Sequence, residues 1–478
     1  MNPPEMKKSE LVFVPAPARG HMVSTIQFAK LLLERDERIS ITVLVIKRPH
    51  PPNLDSYIEE FAASNSNIRF VHLCHVDPPP PELLKSAENF LSIHIEKHKS
   101  LVKDAISNHV VSGPSTKLAG LVVDLFSTPM IDVANELGVP SYVFFPSSAA
   151  FLGLLLYLPT RHAQLGTEFS ISNPDSTIPV YANPVPSRVL PSFLFDKQNG
   201  GYSSMLHHGT RFKETRGFII NTFAELEPHA IESLESRKES AAIYTVGPLL
   251  NLELQEHSQS DQKVMKWLDD QPSSTVVFLC FGSLGGFEPP QLAEMATALE
   301  RSGHRFLWSI QAPPLKDLRV KPAEYTNFSE ILPEGFLERT QNRGLVCGWA
   351  PQVEVLAHEA VGGFVSHCGW NSILESLWNG VPIATWPIYA EQQSNAFELV
   401  KELELAVELT LDYRITSSDK LVMADAIEKA IRLLMDSGNP VRNRVKEVGE
   451  TGRKALKDGG SSFLSAGRFI EDVLVVKK

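Results

Sequence analysis

Cysteine is scarce in this chain. The four present, Cys74, Cys280, Cys347 and Cys368, lie far apart and form no C-x-x-C pair. That spacing suits neither a zinc site nor a disulfide framework, and it fits a reducing compartment. Positive charge is also in deficit: 45 Lys and Arg stand against 56 Asp and Glu, a formal net charge of −11. Nucleic acid and anionic membranes both reward clustered cations, so neither is an expected partner. A phosphate ligand stays open, because oriented backbone amides can hold one inside an acidic protein. No apolar run is long. The longest, Ala149 to Leu158, has about half the length that spans a bilayer. Met1 to Glu10 is polar and has no signal-peptide core, so a cytosolic protein without membrane insertion is expected. Finally, no G-x-G-x-x-G follows the first apolar run. Pro15-Ala16-Pro17-Ala18-Arg19-Gly20-His21-Met22 stands there instead, a poor substitute for a nicotinamide-binding turn.

What the chain does contain is alternation. At 478 residues it is too long for one compact core and suits two domains of roughly 200 residues each. Short runs rich in Val, Ile, Leu and Phe (Leu11–Pro15, Ile41–Ile46, Ile68–Leu73, Leu118–Asp124 and Tyr142–Phe145) read as two-sided buried parallel strands. Helical stretches at Met22–Glu34, Ala87–Ser107 and Thr128–Leu137 fall between them. A second set follows, with strands at Thr275–Phe281, Phe306–Ile310, Leu345–Val346, Gly363–Ser366 and Pro382–Trp386. Its helices are placed at Pro290–Arg301, Val353–Ala357, Asn371–Leu377 and Glu391–Leu403. The expected fold class is therefore α/β, two doubly wound parallel sheets. The division predicted is a first domain over 1–248, a linker over 249–262, a second domain over 263–460, and a final amphipathic helix over 461–478. Sheets of this kind bind ligands at the C-terminal ends of their strands.

One segment carries a dense chemical signal. From Trp349 to Gln392 the chain reads WAPQVEVLAHEAVGGFVSHCGWNSILESLWNGVPIATWPIYAEQ. A strand ending at Ser366 feeds a tight turn, His367-Cys368-Gly369-Trp370, and then a helix, an arrangement that aims free backbone N–H groups past the strand end. Asn371 and Ser372 suit a helix start and can donate to phosphate oxygens, and His367 adds a donor or a positive charge. Together they make a pyrophosphate cradle. Glu375 lies one turn down the same face, where a carboxylate can accept from two vicinal ribose hydroxyls. Trp349 can stack a planar base and Trp370 can wall a sugar pocket. Glu391 and Gln392 offer an acceptor pair and an amide to adjacent hydroxyls. Any one of these residues alone would more often be core or solvated surface; the ordered set is not so read.

The first half offers a histidine and a carboxylate. His21 follows the first strand, and Asp124 ends a strand that can reach the same sheet edge. A histidine matched to neutral pH can take a proton from a hydroxyl, and a carboxylate on its second nitrogen fixes the tautomer. From the residues alone, a structural loop histidine and a helix-capping aspartate remain equally open readings.

The box Trp349–Gln392 resembles the C-terminal signature of plant secondary-product UDP-glycosyltransferases: W-x-P-Q, then H-x-A-x-G-x-F-x-x-H-C-G-W-N-S-x-x-E, then P-x-x-x-x-Q, without a gap. The resemblance extends over nearly the whole chain, including Phe281-Gly282-Ser283. It implies a GT-B fold of two facing Rossmann-like domains, a UDP-sugar donor and a small hydroxylated acceptor. It further implies that Trp349 stacks the uracil, Ala350 meets it through the backbone, and Gln352 and Glu375 bind the ribose. His367, Asn371, Ser372 and Ser283 would hold the diphosphate. Trp370, Glu391 and Gln392 would contact the sugar. Glutamine at position 392 resembles the glucose users, whereas histidine there accompanies galactose preference in some members. His21 would be the general base and Asp124 its partner, in an inverting transfer. No Asp-x-Asp motif is present, so no metal or other cofactor is expected.

The acceptor pocket is expected in the first domain, with Phe126, Phe145, Ser147, Phe151, Phe193 and Met205 as its lining, and Leu190 and Phe195 beside them. Such a wall suits a flat phenolic or a terpenoid-like molecule. Pro146 stands where many family members carry a sugar-contacting Thr, so either Ser147 substitutes for it or that contact is absent. A monomer is expected. The competing reading is a non-catalytic UDP-sugar or small-molecule binding protein on the same scaffold, which would keep the box and lose the base.

Overall fold

The computed structural model describes residues 7–48, 55–112, 116–237, 241–252, 258–282, 285–313, 325, 327–415 and 420–475. Ser283, and residues 253–257 of the linker region, lie outside that set. The chain divides into two compact units. The first comprises Met1–Pro184, Phe193–Asn251 and Lys454–Lys478; the second comprises Val185–Ser192 and Leu252–Arg453.

The first unit is built on seven parallel strands: β1 (Lys8–Val14), β2 (Ile39–Val45), β3 (Ile68–His72), β4 (Thr116–Asp124), β5 (Ser141–Phe145), β6 (Gly217–Ile220) and β7 (Ala242–Thr245). Their order is β3-β2-β1-β4-β5-β6-β7. The chain starts in mid-sheet, winds out to β3, then returns past β1 to continue through β4. The direction reverses between β1 and β4, whose register pairs Val14 with Val123. That reversal is the crevice where doubly wound sheets bind ligands. Leu11 to Val14 are fully buried, as a strand covered by helices on both faces must be. The last helix, Ser461–Val475, also belongs to this unit. Its Phe469 ring lies 5.5 Å from Phe28, 5.1 Å from Tyr142 and 5.3 Å from Tyr244.

The second unit repeats the plan with six parallel strands: β8 (Val276–Cys280), β9 (Arg305–Ser309), β10 (Gly344–Cys347), β11 (Val361–Ser366), β12 (Ile383–Thr385) and β13 (Ala406–Glu408). They run β10-β9-β8-β11-β12-β13, the dinucleotide-fold order, with the reversal between β8 and β11. An aromatic cluster of Phe281, Phe287, Trp386 and Tyr413 fills one end of the core.

Several expectations need correction. The helix after β1 starts at Arg19, so His21 sits in its first turn and not in the preceding loop. The stretch 87–107 is not one helix: it breaks into Ala87–Glu96 and Lys99–Ile106, followed by a wider turn over Ser107–Val111. Glu391–Leu403, by contrast, does run on as one helical stretch, α-helical over Gln392–Phe397 and wider over Glu398–Glu402. The longest apolar run opens a buried helix, Ala149–Leu165, that tolerates Pro159 inside it. Three short strands, β6, β7 and β13, carried no readable period. The helix Gln259–Asp269 begins inside the stretch taken as linker, where Ser258 and Asp261 form a reciprocal capping box. Residues 185–192, inside the first domain by sequence position, group with the second unit. Arg414 explains their attachment: its guanidinium donates to the Leu190 carbonyl and, at 3.0 Å, to Ser192 Oγ. Ser394 Oγ donates to the Val189 carbonyl at 3.3 Å.

Candidate functional site

In the first unit, His21 and Asp124 meet. Asp124 is the last residue of β4, and its side chain is fully buried; His21 Nδ1 lies 2.8 Å from Asp124 Oδ2. The second carboxylate oxygen accepts from the Phe126 backbone N–H at 3.0 Å. A buried carboxylate is costly unless both oxygens find donors, and here both do. The pairing fixes the imidazole with its proton on Nδ1 and turns Nε2 to the acceptor role. The His21 side chain keeps 24% of its surface exposed, so the ring is held without being sealed. The Phe126 ring stands 5.8 Å from it.

The six residues expected as the lining of the acceptor pocket all fall in this unit. Phe145 closes β5, Ser147 is in the following loop, and Phe151 is in the first turn of the helix Ala149–Leu165, whose N-cap Ser148 accepts from the Phe151 N–H. Phe151 lies 5.6 Å from Phe145 and 6.2 Å from Phe193. Met205 is on the helix Gly201–Arg211. Of the six, only Phe126 is partly exposed; the others are buried. Leu190 does not join them, since it belongs to the segment fastened to the second unit.

In the second unit, β11 delivers the chain into His367-Cys368-Gly369, and the helix Trp370–Trp378 follows. Cys368 takes a left-handed conformation, φ 61°. The turn is held by Ser366 Oγ, which accepts from the Cys368 N–H at 3.2 Å, and by Asn395 Nδ2, which donates to the Cys368 carbonyl at 3.0 Å. The His367 ring lies in a slot between two glycines. A Cβ on Gly282 would stand 2.8 Å from its Nε2, and one on Gly369 2.6 Å from it. Burial pushes the His367 pKa down to about 4, partly offset by the Cys280 backbone carbonyl. Of the two states left open by the sequence, the neutral donor is therefore the resting one.

The expected ribose residues converge across two helices. Gln352, first in the helix Gln352–Ala357, donates through Nε2 to Ser372 Oγ at 2.8 Å and to Glu375 Oε2 at 2.6 Å. Asn371 and Ser372 occupy the first turn of the other helix, where the positive end of the helix dipole favours an anion. Trp349 is 45% exposed, unusual for an indole and suited to stacking, whereas Ala350 and Trp370 are buried. The loop carrying Trp349 is braced by Ser309 Oγ, which donates to the Gly348 carbonyl at 2.8 Å. Trp386 is fully buried in the aromatic core. Gln392 has its Oε1 committed to the Ile388 and Tyr389 N–H groups, at 2.9 and 3.0 Å. Its amide nitrogen is thereby oriented as a donor. Glu391, half-buried, precedes it after Ala390, another left-handed residue at φ 54°.

Sequence reasoning missed four supports of this geometry. The glycine slot around His367 depends on Gly282 and Gly369 being close in space. Asn395 braces the turn from a different helix. The Phe126 N–H serves Asp124. His208, considered below, follows His207 in the sequence, and nothing there marks its distant partners. Only Asn395 had a sequence cue, its position one turn beyond Gln392.

No group of three or more His, Cys, Asp or Glu side chains suited to a metal occurs among the described residues. No helix among them is long and apolar enough to cross a membrane.

Two doubly wound parallel units, one presenting an imidazole–carboxylate pair and the other a glycine-lined histidine turn before a helix, are an architecture that suits a nucleotide-sugar transferase. Comparison with known proteins makes the class specific. Residues 250–435 match the model of the family described as UDP-glucoronosyl and UDP-glucosyl transferase. The chain is 51% identical to UDP-glycosyltransferase 71K1 of Malus domestica, over 98% of this chain and 99% of that one. It is 47% identical to UDP-glucose flavonoid 3-O-glucosyltransferase 6 of Fragaria ananassa, over 98% and 99%. Among solved structures, Medicago truncatula UGT71G1 complexed with UDP-glucose superposes with a TM-score of 0.89 at 45% identity, covering 98% of each chain. The chain belongs to the plant UDP-glycosyltransferase family and has its GT-B fold.

Proposed function

We propose that this enzyme transfers glucose from UDP-glucose to a hydroxyl of a small plant secondary metabolite, with phenolics and flavonoids first among the acceptors. The observation that carries the reading is the 2.8 Å contact between His21 Nδ1 and a fully buried Asp124 carboxylate. His21 Nε2 takes the proton from the acceptor hydroxyl, and Asp124 stabilises the imidazolium as it forms. The freed oxygen attacks the anomeric carbon from the face opposite UDP. The C1–O bond to the diphosphate breaks, and the electron pair leaves with UDP. One displacement inverts the configuration, giving a β-glucoside from the α-linked donor. The first turn of the helix Trp370–Trp378, with His367, Asn371 and Ser372, stabilises the departing diphosphate. Gln352 and Glu375 hold the ribose, Trp349 and Ala350 the uracil, and Trp370, Glu391 and Gln392 the sugar. The aromatic side chains Phe126, Phe145, Phe151 and Phe193, with Met205 and Ser147, favour a flat apolar acceptor. The resemblance of this chain to a flavonoid 3-O-glucosyltransferase points the same way.

The test is a transfer assay with UDP-glucose and a panel of phenolics, flavonoids and terpenoid alcohols, in the presence of EDTA. A hexose-sized mass gain is expected, with UDP released. The His21→Ala variant should lose about 10²–10⁴-fold in kcat while still binding UDP-glucose. Undiminished transfer by that variant would remove His21 from the mechanism.

A further inference from the structure

A partly buried polar chain near the catalytic pair has no part in the mechanism above. Ser92 Oγ donates to the Glu88 carbonyl at 2.7 Å, one helical turn back. It also lies 2.8 Å from Ser204 Oγ and 2.7 Å from His208 Nε2. On the far side of the ring, His208 Nδ1 is 2.7 Å from Thr128 Oγ1. Burial pushes the His208 pKa down to about 3, with His207 and Arg211 adding to the effect, so the ring is neutral.

The proton positions follow by elimination. A serine hydroxyl has one proton, and Ser92 spends it on the Glu88 carbonyl. Ser92 must then accept from both Ser204 and His208. His208 therefore carries its proton on Nε2, and its Nδ1 accepts from the Thr128 hydroxyl. This tautomer is opposite to that of His21.

Thr128 belongs to the turn that serves Asp124. In that turn the Ser127 N–H donates to the Asp124 carbonyl at 2.8 Å, and the Phe126 N–H donates to Asp124 Oδ1 at 3.0 Å. The Phe126 ring stands perpendicular to His208 at 5.9 Å and lies 5.8 Å from His21. Phe126 thus sits between the two histidines, while its backbone orients the carboxylate.

We propose that His208 is a positioning residue for catalysis: through Thr128 and Phe126 it holds the turn after β4 so that Asp124 and the wall beside His21 keep their places. The proposal rests on the general-base reading of His21.

Thr128→Val removes the hydroxyl at nearly constant volume, and Thr128→Ser keeps it. With UDP-glucose and the best acceptor of the panel, Thr128→Val should lower kcat about tenfold or more, because small misplacement of a catalytic group is expensive. KM for UDP-glucose should stay within about twofold, and Thr128→Ser should recover most of kcat. Parental kcat in Thr128→Val would overturn the proposal. So would equal losses in both variants, or a loss confined to KM for UDP-glucose. Should Thr128→Val fail to fold, ¹⁵N spectroscopy of the parent enzyme decides instead: His208 is expected as the neutral Nε2–H tautomer, and an Nδ1–H signal would sink the chain of donors. An inactive His21→Ala beside a fully active Thr128→Val rejects only the positioning role. A fully active His21→Ala rejects the base reading first.

Discussion

At the scale of single residues, the site works by giving each polar atom one job. Gln392 is the clearest case. Its carbonyl oxygen is tied to two backbone N–H groups, so its amide nitrogen is left pointing as a donor. Gln392→Glu would keep the acceptor and remove the donor, while adding a charge. KM for UDP-glucose is expected to rise about tenfold, the value of one good hydrogen bond. Initial-rate kinetics at saturating acceptor check this, and an unchanged KM would show that the amide makes no contact with the donor. Glutamine at the end of the box was legible in the sequence. Its orientation was not, because it depends on a loop bent through the left-handed residue Ala390.

At the scale of elements, strand ends and helix starts place the candidate residues within each unit. β4 presents Asp124 beside the first turn of the helix carrying His21, and β11 feeds the turn before the helix Trp370–Trp378. That turn needs glycine at position 369 for closeness and not for conformation. Gly369 has an ordinary backbone, φ −65°, yet an added methyl would sit 2.6 Å from His367 Nε2. Gly369→Ala should therefore push the imidazole aside and lower kcat/KM for UDP-glucose about 10–100-fold, with an unchanged circular dichroism spectrum. An effect below twofold would mean that His367 contributes little to holding the diphosphate. The alternation of buried strands and amphipathic helices announced most of these elements. It failed for β6, β7 and β13, four, four and three residues long, whereas the equally short β10 and β12 were legible from their place beside or inside the box. It also merged neighbouring helices, because an apolar stripe continues across a break.

At the scale of the whole molecule, the buried histidines are expected to lower stability in acid. His94 and His367 are pushed down to about 4 and His208 to about 3, chiefly by burial, against an ordinary value of 6.5. Their folded-state pKa is below the unfolded one, so the unfolded chain binds more protons in the window between. Stability is therefore full above about pH 6.5 and falls as pH drops toward 4. Each fully shifted histidine contributes a slope of up to about 1.4 kcal/mol per pH unit. Calorimetry from pH 7 to pH 4.5 should show a falling Tm, steeper than ionisation of carboxylates alone would give. A flat Tm over that range would contradict the neutral, buried state of these rings.

The sequence by itself determined the class of fold, the identity of the box from Trp349 to Gln392 and the candidacy of His21 and Asp124. These are local properties: strand and helix periods and a motif whose spacing is written in one segment. Tertiary structure alone decided what joins distant positions. It brought His21 to Asp124 through adjacent strands, slotted His367 between Gly282 and Gly369, and linked His208 to Ser92 and Thr128. It also fastened residues 185–192 to the second unit through Arg414. Hydrogen bonds and close contacts between such positions depend on three-dimensional approach, and no periodicity along the chain records it.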